Sequence, residues 1–218
     1  MIEAVVFDLD GVLIDSEPVW EEVRRQLVAE HGGQWPPDAQ HRLMGMSTPE
    51  WARYLTGELG VRLPPEQAAA VVVERMAARY SAQLPLLPGA ADAVRALSAQ
   101  WPLGLASSSS PSLIDAVLDA SSLRGCFRAA MSTEQVPAGK PAPDIYLAVA
   151  AALGCPPGRC AAVEDSANGL RSAAAAGLRV IAIPRPEYPP GAAALASATL
   201  VLGSLAGLTP DAVRALAA

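Results

Sequence analysis

Val5-Val6-Phe7-Asp8-Leu9-Asp10-Gly11-Val12-Leu13 joins an apolar run to two aspartates two residues apart and a glycine. With Ile2-Glu3-Ala4 ahead of it, the segment up to Phe7 is almost continuously apolar, which predicts a strand buried on both faces. A strand of a doubly wound α/β sheet presents its chemistry at its carboxyl end. Here that end carries two carboxylates near enough to repel each other. They call for a cation, a shared proton or exposure to water. A hard divalent ion such as Mg²⁺ suits them, since it favours carboxylate oxygens and keeps part of its water shell. Taken alone, Asp8 and Asp10 also fit a solvated β-α turn; the strands that follow decide between the two.

The chain has 218 residues, 51% of them apolar, which suits one medium domain carrying an insertion. The formal charge of −6 and the lack of a Lys/Arg cluster argue against nucleic acid as a partner. A small anionic metabolite remains compatible, because a metal and local cations outweigh the global field. Cys126, Cys155 and Cys160 make an odd number that suits a reducing cytoplasm rather than a disulfide framework. The two histidines are far from them in sequence, so ordinary packing is the expectation rather than a zinc site. The first residues show no leader pattern and the apolar runs are too interrupted to span a membrane. The expectation is a cytoplasmic protein without a membrane partner, a monomer or weak homodimer.

Beyond the first strand, Val19, Trp20, Val23 and Leu27 recur at helical spacing, with Glu21, Glu22, Arg24 and Arg25 on the other face. Ser16 or Asp15 can cap that helix, and Pro18 is tolerated in its first turn. Further helices are predicted around 38–44, 48–59 and 65–80, with no strand among them. Residues 16–82 are therefore read as an inserted α-helical domain, and 1–15 with 83–218 as the catalytic core. From there strands and helices alternate. Helices are predicted over 89–100, 145–153, 170–176 and 210–216, and one after Pro111 up to Ala120. Strands are predicted over 102–106, 129–132, 160–163, 178–183 and 199–202, with 184–196 as a surface loop containing a short helical turn. The alternation implies a mainly parallel sheet flanked by helices.

In such a sheet the polar strand ends meet on one edge. They are Asp8 and Asp10, Ser107 with Ser108, Lys140, and Glu164 with Asp165. Each alone has an ordinary reading as a polar loop, a surface lysine or a helix-start acidic pair. Together they describe phosphoryl transfer through an aspartyl-phosphate. Asp8 attacks, Asp10 moves a proton, Ser107 donates a hydrogen bond, Lys140 supplies compact positive charge, and Asp165 with Glu164 completes a divalent metal site. Ser110-Pro111 has the form of an N-cap followed by proline at the first helical position, which aims N–H groups at a phosphate.

These residues resemble the haloacid dehalogenase-type phosphatase superfamily, in the subgroup with a helical cap between the first and second motifs. The resemblance rests on Asp8-Leu9-Asp10-Gly11-Val12-Leu13, Leu105-Ala106-Ser107-Ser108, Gly139-Lys140-Pro141-Ala142-Pro143-Asp144 and Val163-Glu164-Asp165-Ser166 with Gly169. It implies a Rossmann-like core plus an inserted α-helical cap. It implies Asp8 as nucleophile, Asp10 as general acid and base, and Ser107, Ser108 and Lys140 on the phosphoryl group. It also implies Mg²⁺ on Asp8, the Asp10 carbonyl and Asp165, with Glu164 at or near the ion. Leu13-Ile14-Asp15-Ser16-Glu17-Pro18-Val19-Trp20 is similar to the segment found in hexitol- and 2-deoxyglucose-6-phosphate phosphatases. The β-phosphoglucomutase group is the other similar branch. Met44 and Thr48 stand where that group's basic clamp is expected, and Trp20 where it carries a histidine, so hydrolysis is favoured over a mutase. Glu17, Trp20 and Gly45 are the expected cap contacts to a small phosphorylated metabolite, with Met44 and Met46 beside them. A non-catalytic phospho-aspartate sensor is the remaining alternative.

Overall fold

The computed structural model describes residues 1–44 and 46–216; Gly45, an expected substrate contact, lies outside the described residues. Six parallel strands form one sheet. They are β1 (Ala4–Phe7), β2 (Leu103–Ser107), β3 (Phe127–Ser132), β4 (Cys160–Glu164), β5 (Arg179–Ala182) and β6 (Leu200–Val201). Their spatial order is β3-β2-β1-β4-β5-β6. The chain winds outward from β1 to β3, crosses back to β4 beside β1, and winds outward again. The order reverses between β1 and β4, and crevices that bind ligands form at the carboxyl ends of strands flanking such a reversal. Asp8 follows β1 and Glu164 ends β4, so the two acidic motifs flank that point.

Alternate residues of the strands feed two separate cores. Val5, Phe7, Leu105, Ala161, Val163 and Ile181 face one side, and Ala4, Val6, Ala106, Ala162, Val180 and Ala182 the other. Burial on both faces explains why β1 reads as an uninterrupted apolar run. The edge strand β3 alternates between half-buried and exposed positions. It starts two residues earlier than the sequence suggests, because Arg128 is tolerated on its exposed side.

Among the described residues, four helices lie between β1 and the helix α5 (Ala90–Ser98), with no strand among them. They are α1 (Glu17–Glu30), α2 (Ala39–Leu43), α3 (Thr48–Gly57) and α4 (Pro65–Ala82). Ser16 occupies the N-cap position of α1, but its side chain makes no capping bond. Ser47 and Glu50 form a capping box at α3. Helices α1 and α3 pack on α4, and α4 also rests on α6 (Pro111–Ala120) of the core. Trp51, Leu55 and Met76 thereby join the same apolar cluster as Phe7 and Leu105.

The remaining core helices are α7 (Asp144–Ala152), α8 (Ala167–Ala175), the single turn α9 (Ala192–Leu195) and α10 (Pro210–Ala215). Helix α8 begins three residues before the sequence prediction, because Ser166 caps it by accepting from the Gly169 N–H at 3.1 Å. Among the described residues, no helix is long and apolar enough to cross a membrane.

Candidate active site

Lys140 is the hub of the strand-end cluster. Its ammonium donates to Asp8 Oδ1 at 2.7 Å, Glu164 Oε1 at 2.7 Å and the Ala106 carbonyl at 3.0 Å. The three acceptors belong to three neighbouring strands, so one side chain ties β1, β2 and β4 together at their carboxyl ends. Burial opposes the Lys140 charge, but Asp8 and Glu164 outweigh it and hold the ammonium above its ordinary pKa.

Glu164 is fully buried. Its Oε1 also accepts from the Tyr146 hydroxyl at 2.8 Å. Its Oε2 accepts from the Asp165 N–H at 3.1 Å, the Ser166 N–H at 3.3 Å and the Ser166 hydroxyl at 3.2 Å. Gly169 follows one helical turn on because any Cβ there would overlap the Glu164 carboxylate. Gly11, at φ +81°, turns the chain after Asp10, and a Cβ there would collide with the Asp165 carboxylate.

Asp8, Glu164 and Asp165 place one carboxylate oxygen each within 4.8 Å of one another. At that spacing each like-charged pair repels by roughly 3–4 kcal/mol at an effective dielectric constant of 20. One lysine against three carboxylates leaves negative charge uncompensated. Burial first, then the Glu164 charge, pushes the Asp8 carboxyl up to about 8, against the pull of Lys140. Burial, then Glu164 and Asp8, likewise raises Asp165. Asp165 Oδ1 is buried without a hydrogen-bond partner. Surplus negative charge, hard oxygen donors and an orphaned carboxylate oxygen fit a divalent cation.

The Asp10 side chain stands outside that trio. Its Oδ2 accepts from the Ser109 hydroxyl at 2.8 Å and the Ser107 hydroxyl at 3.3 Å, while Oδ1 has no partner. Ser107 Oγ accepts in turn from the Ser109 N–H at 3.0 Å. Ser108 lines the cavity. The serine run reads as one polar loop in the sequence, and nothing in it distinguishes Ser109 as the nearer partner of Asp10.

Asp8, Asp10, Ser108, Ser109, Lys140 and Asp165 floor a cavity of about 610 Å³ between the strand ends and α1–α3, a size that suits a small metabolite, while the fully buried Ser107 and Glu164 lie beneath it. Glu17 and Trp20 line it as the sequence suggests, and so do Met44, Met46 and Thr48. The largest departure concerns Arg24. Assigned to the solvated face of α1 by its pattern, it is buried and lines the cavity. Glu22 and Arg25 do face water, but Arg24 falls on the buried stripe of α1 with Trp20, Val23, Leu27 and Val28. Its guanidinium lies 4.4 Å from the Trp20 ring centre and 5.1 Å from that of Trp51. Burial lowers its pKa to about 10, with Glu17 opposing the fall, so it stays charged at neutral pH. The four-residue spacing of Trp20 and Arg24 was the available signal. Arg185, in the loop after β5, also lines the cavity and pairs with Asp15 Oδ1 at 3.1 Å.

Comparison with known proteins agrees with this architecture. The model of the haloacid dehalogenase-like hydrolases matches residues 2–177. Hexitol phosphatase B of Escherichia coli K12 is 39% identical over 197 residues, covering 85% of each chain. The crystal structure of CbbY from Rhodobacter sphaeroides in complex with phosphate superposes with a TM-score of 0.87 at 30% identity, covering 98% of this chain and all of that one. A mutant of the same protein, in complex with xylulose-(1,5)bisphosphate, gives 0.83 at 31% identity over 95% of this chain and 96% of that one. The chain belongs to the haloacid dehalogenase-like hydrolases. It is an enzyme of that family's phosphatase type.

Proposed function

We propose that the protein hydrolyses a small phosphate monoester, a sugar or sugar-alcohol phosphate, through a phosphorylated Asp8 and with Mg²⁺. The observation that carries this reading is the Lys140 hub. It orients Asp8 while leaving three converging carboxylates short of positive charge. Hexitol phosphatase and the xylulose bisphosphate complex of CbbY support a polyhydroxylated substrate.

Asp8 attacks phosphorus as the bond to the leaving oxygen breaks, giving an acyl phosphate on Asp8. Asp10, with Oδ1 free and Oδ2 held by Ser107 and Ser109, protonates the departing alkoxide. It then takes a proton from water, which attacks the phosphorus of the acyl phosphate, releases phosphate and restores Asp8. Lys140 fixes the Asp8 carboxylate through Oδ1 and offsets charge on the transferring group. The Ser108 hydroxyl, which lines the cavity, takes the phosphoryl oxygens, whereas Ser107 is fully buried and its hydroxyl serves Asp10 instead. Asp8, Asp165 and the Asp10 carbonyl would hold the cation, with Glu164 behind them. Bound there, a divalent ion offsets the repulsion between Asp8 and the substrate phosphate. The helices of residues 16–82 act as the cap that selects the substrate, and the enzyme works in the cytoplasm.

Phosphate release from a panel of sugar, sugar-alcohol, nucleotide and short-acid phosphates, with and without Mg²⁺, tests the reading. Asp8→Asn should lose turnover by about 10⁴-fold or more while remaining folded, and chelation should silence the parent reversibly. Isomerised sugar phosphate without net release would indicate a mutase. Undiminished turnover in the variant would remove Asp8 from the nucleophile role.

A further inference from the structure

The cap end of the cavity holds a cation that the chemistry at Asp8 does not use. Arg24 is 4% exposed, and its Nε is buried without a hydrogen-bond partner. Leaving a buried guanidinium N–H unpaired is unfavourable, so this arrangement persists against a cost that a ligand would relieve. Trp20 and Trp51 fix the plane of the group, their ring centres 6.0 Å apart. The neighbouring Glu17 accepts from Gln40 Nε2 at 2.6 Å, and Gln40 Oε1 is itself buried without a partner. Arg24 and Glu17 both line the cavity, whereas Gln40 sits behind Glu17; the cap thus presents an orphaned donor and a carboxylate acceptor, a cation and an anion that cancel in charge.

We propose that Arg24 and Glu17, the latter held by Gln40, form the recognition patch for the hydroxylated end of the substrate, remote from its phosphate. Arg24 donates to hydroxyl oxygens, and Glu17 accepts hydroxyl protons. The inference rests on the phosphatase reading above and specifies what its cap selects. A vicinal diol both donates and accepts, so it meets the Arg24 donor and the Glu17 acceptor together. An apolar end would meet neither. A second phosphate would pair with Arg24 but meet the Glu17 carboxylate, and like charges brought together in a cavity discriminate against such a ligand. A guanidinium already held between two rings loses little side-chain freedom on binding.

The test measures kcat/KM for phosphate release from three esters: a six-carbon sugar-alcohol monophosphate, its doubly phosphorylated analogue, and phenyl phosphate, which has no hydroxyls. Arg24→Met should lower the value for the sugar-alcohol ester by about 10- to 100-fold, and the value for phenyl phosphate at least tenfold less. Arg24→Lys should recover little, since an ammonium lacks the planar fork. It carries the same comparison if the Met variant does not fold. Glu17→Gln leaves Arg24 without its counter-charge and should raise the doubly phosphorylated ester relative to the monophosphate. An equal loss on all three esters would reduce Arg24 to a structural element. A parent enzyme preferring the doubly phosphorylated ester would make the patch an anion site; either result overturns the proposal and leaves the phosphatase reading standing. Failure of the parent to release phosphate from any of the three would overturn both.

Discussion

The two ends of the cavity are built on opposite principles. At the strand end, charges are locked together: Lys140 spans Asp8 and Glu164, and Glu164 also takes bonds from Tyr146, Ser166 and the Asp165 N–H. At the cap end, Arg24 is held by aromatic faces and its Nε pairs with nothing. The first arrangement fixes positions to the accuracy that phosphoryl transfer requires. The second keeps hydrogen-bonding capacity in reserve. Under the proposed reading, chemistry sits on the sheet and selection on the helices, so one can change without disturbing the other.

The sharpest way to break this contrast is to unlock the strand end. Lys140→Met leaves Asp8 and Glu164 buried together without their shared cation. Breaking a buried pair in this way destabilises by about 3–5 kcal/mol, and turnover should fall with it. Denaturant unfolding checks the first effect and phosphate release the second. A Lys140→Met protein as stable as the parent would show that the strand end is not locked by this charge pairing.

A smaller but more local effect is expected at Gly169. Alanine there drives a methyl into the Glu164 carboxylate, and the floor of the site must shift. Overpacking of this kind costs about 1–3 kcal/mol. The same substitution at Gly191, whose Cβ would meet nothing within 4 Å, serves as the control. Equal unfolding midpoints for the two variants would contradict the close approach of α8 to Glu164.

The strand end was the legible half of the molecule. Apolar runs ending in Asp8, Ser107 and Glu164 can be read because burial on two faces leaves no polar residue inside the strand, so the first polar one marks its end. The parallel alternation then brings the ends together without further information. Lys140 follows from order along the chain. Tyr146 does not, since a tyrosine in an apolar helix looks like packing until its hydroxyl is seen on Glu164. The cap end was less legible for a physical reason. Periodicity separates apolar from polar faces, but it cannot tell water from a polar cavity, and Arg24 on α1 fits either. Ser109 escaped notice because four consecutive serines carry no pattern from which to choose.

Tyr146→Phe sharpens the same boundary, since it removes one hydroxyl from a network that stays charged. Glu164 loses a single donor and keeps Lys140 and the Ser166 bonds. A buried hydrogen bond to a charged group contributes about 1.5–3 kcal/mol, so the unfolding free energy should fall by no more than that. If Tyr146 positions Glu164, kcat should drop several-fold while KM for the phosphate ester moves little. A change in KM alone would assign the tyrosine to the cavity wall instead.

The smallest effect expected is at the cap end and has the opposite sign. Burial, reinforced by Asp10, raises the Glu17 carboxyl above its ordinary value, although Arg24 and the Gln40 bond oppose the shift. The folded protein therefore binds the Glu17 proton more tightly than the unfolded chain. Stability from this group is present below the unfolded value and is lost as pH rises through the folded one. At neutral pH Glu17 is a net burden on the fold, so Glu17→Gln should raise the unfolding temperature on the order of a degree or two at pH 7. The gain should vanish below about pH 4, where both states carry the proton. Thermal unfolding of parent and variant across that range checks the sign. A variant less stable than the parent at pH 7 would mean that Glu17 belongs with the locked charges of the strand end. A variant more stable there would identify Glu17 as a group kept for the ligand at the expense of the fold.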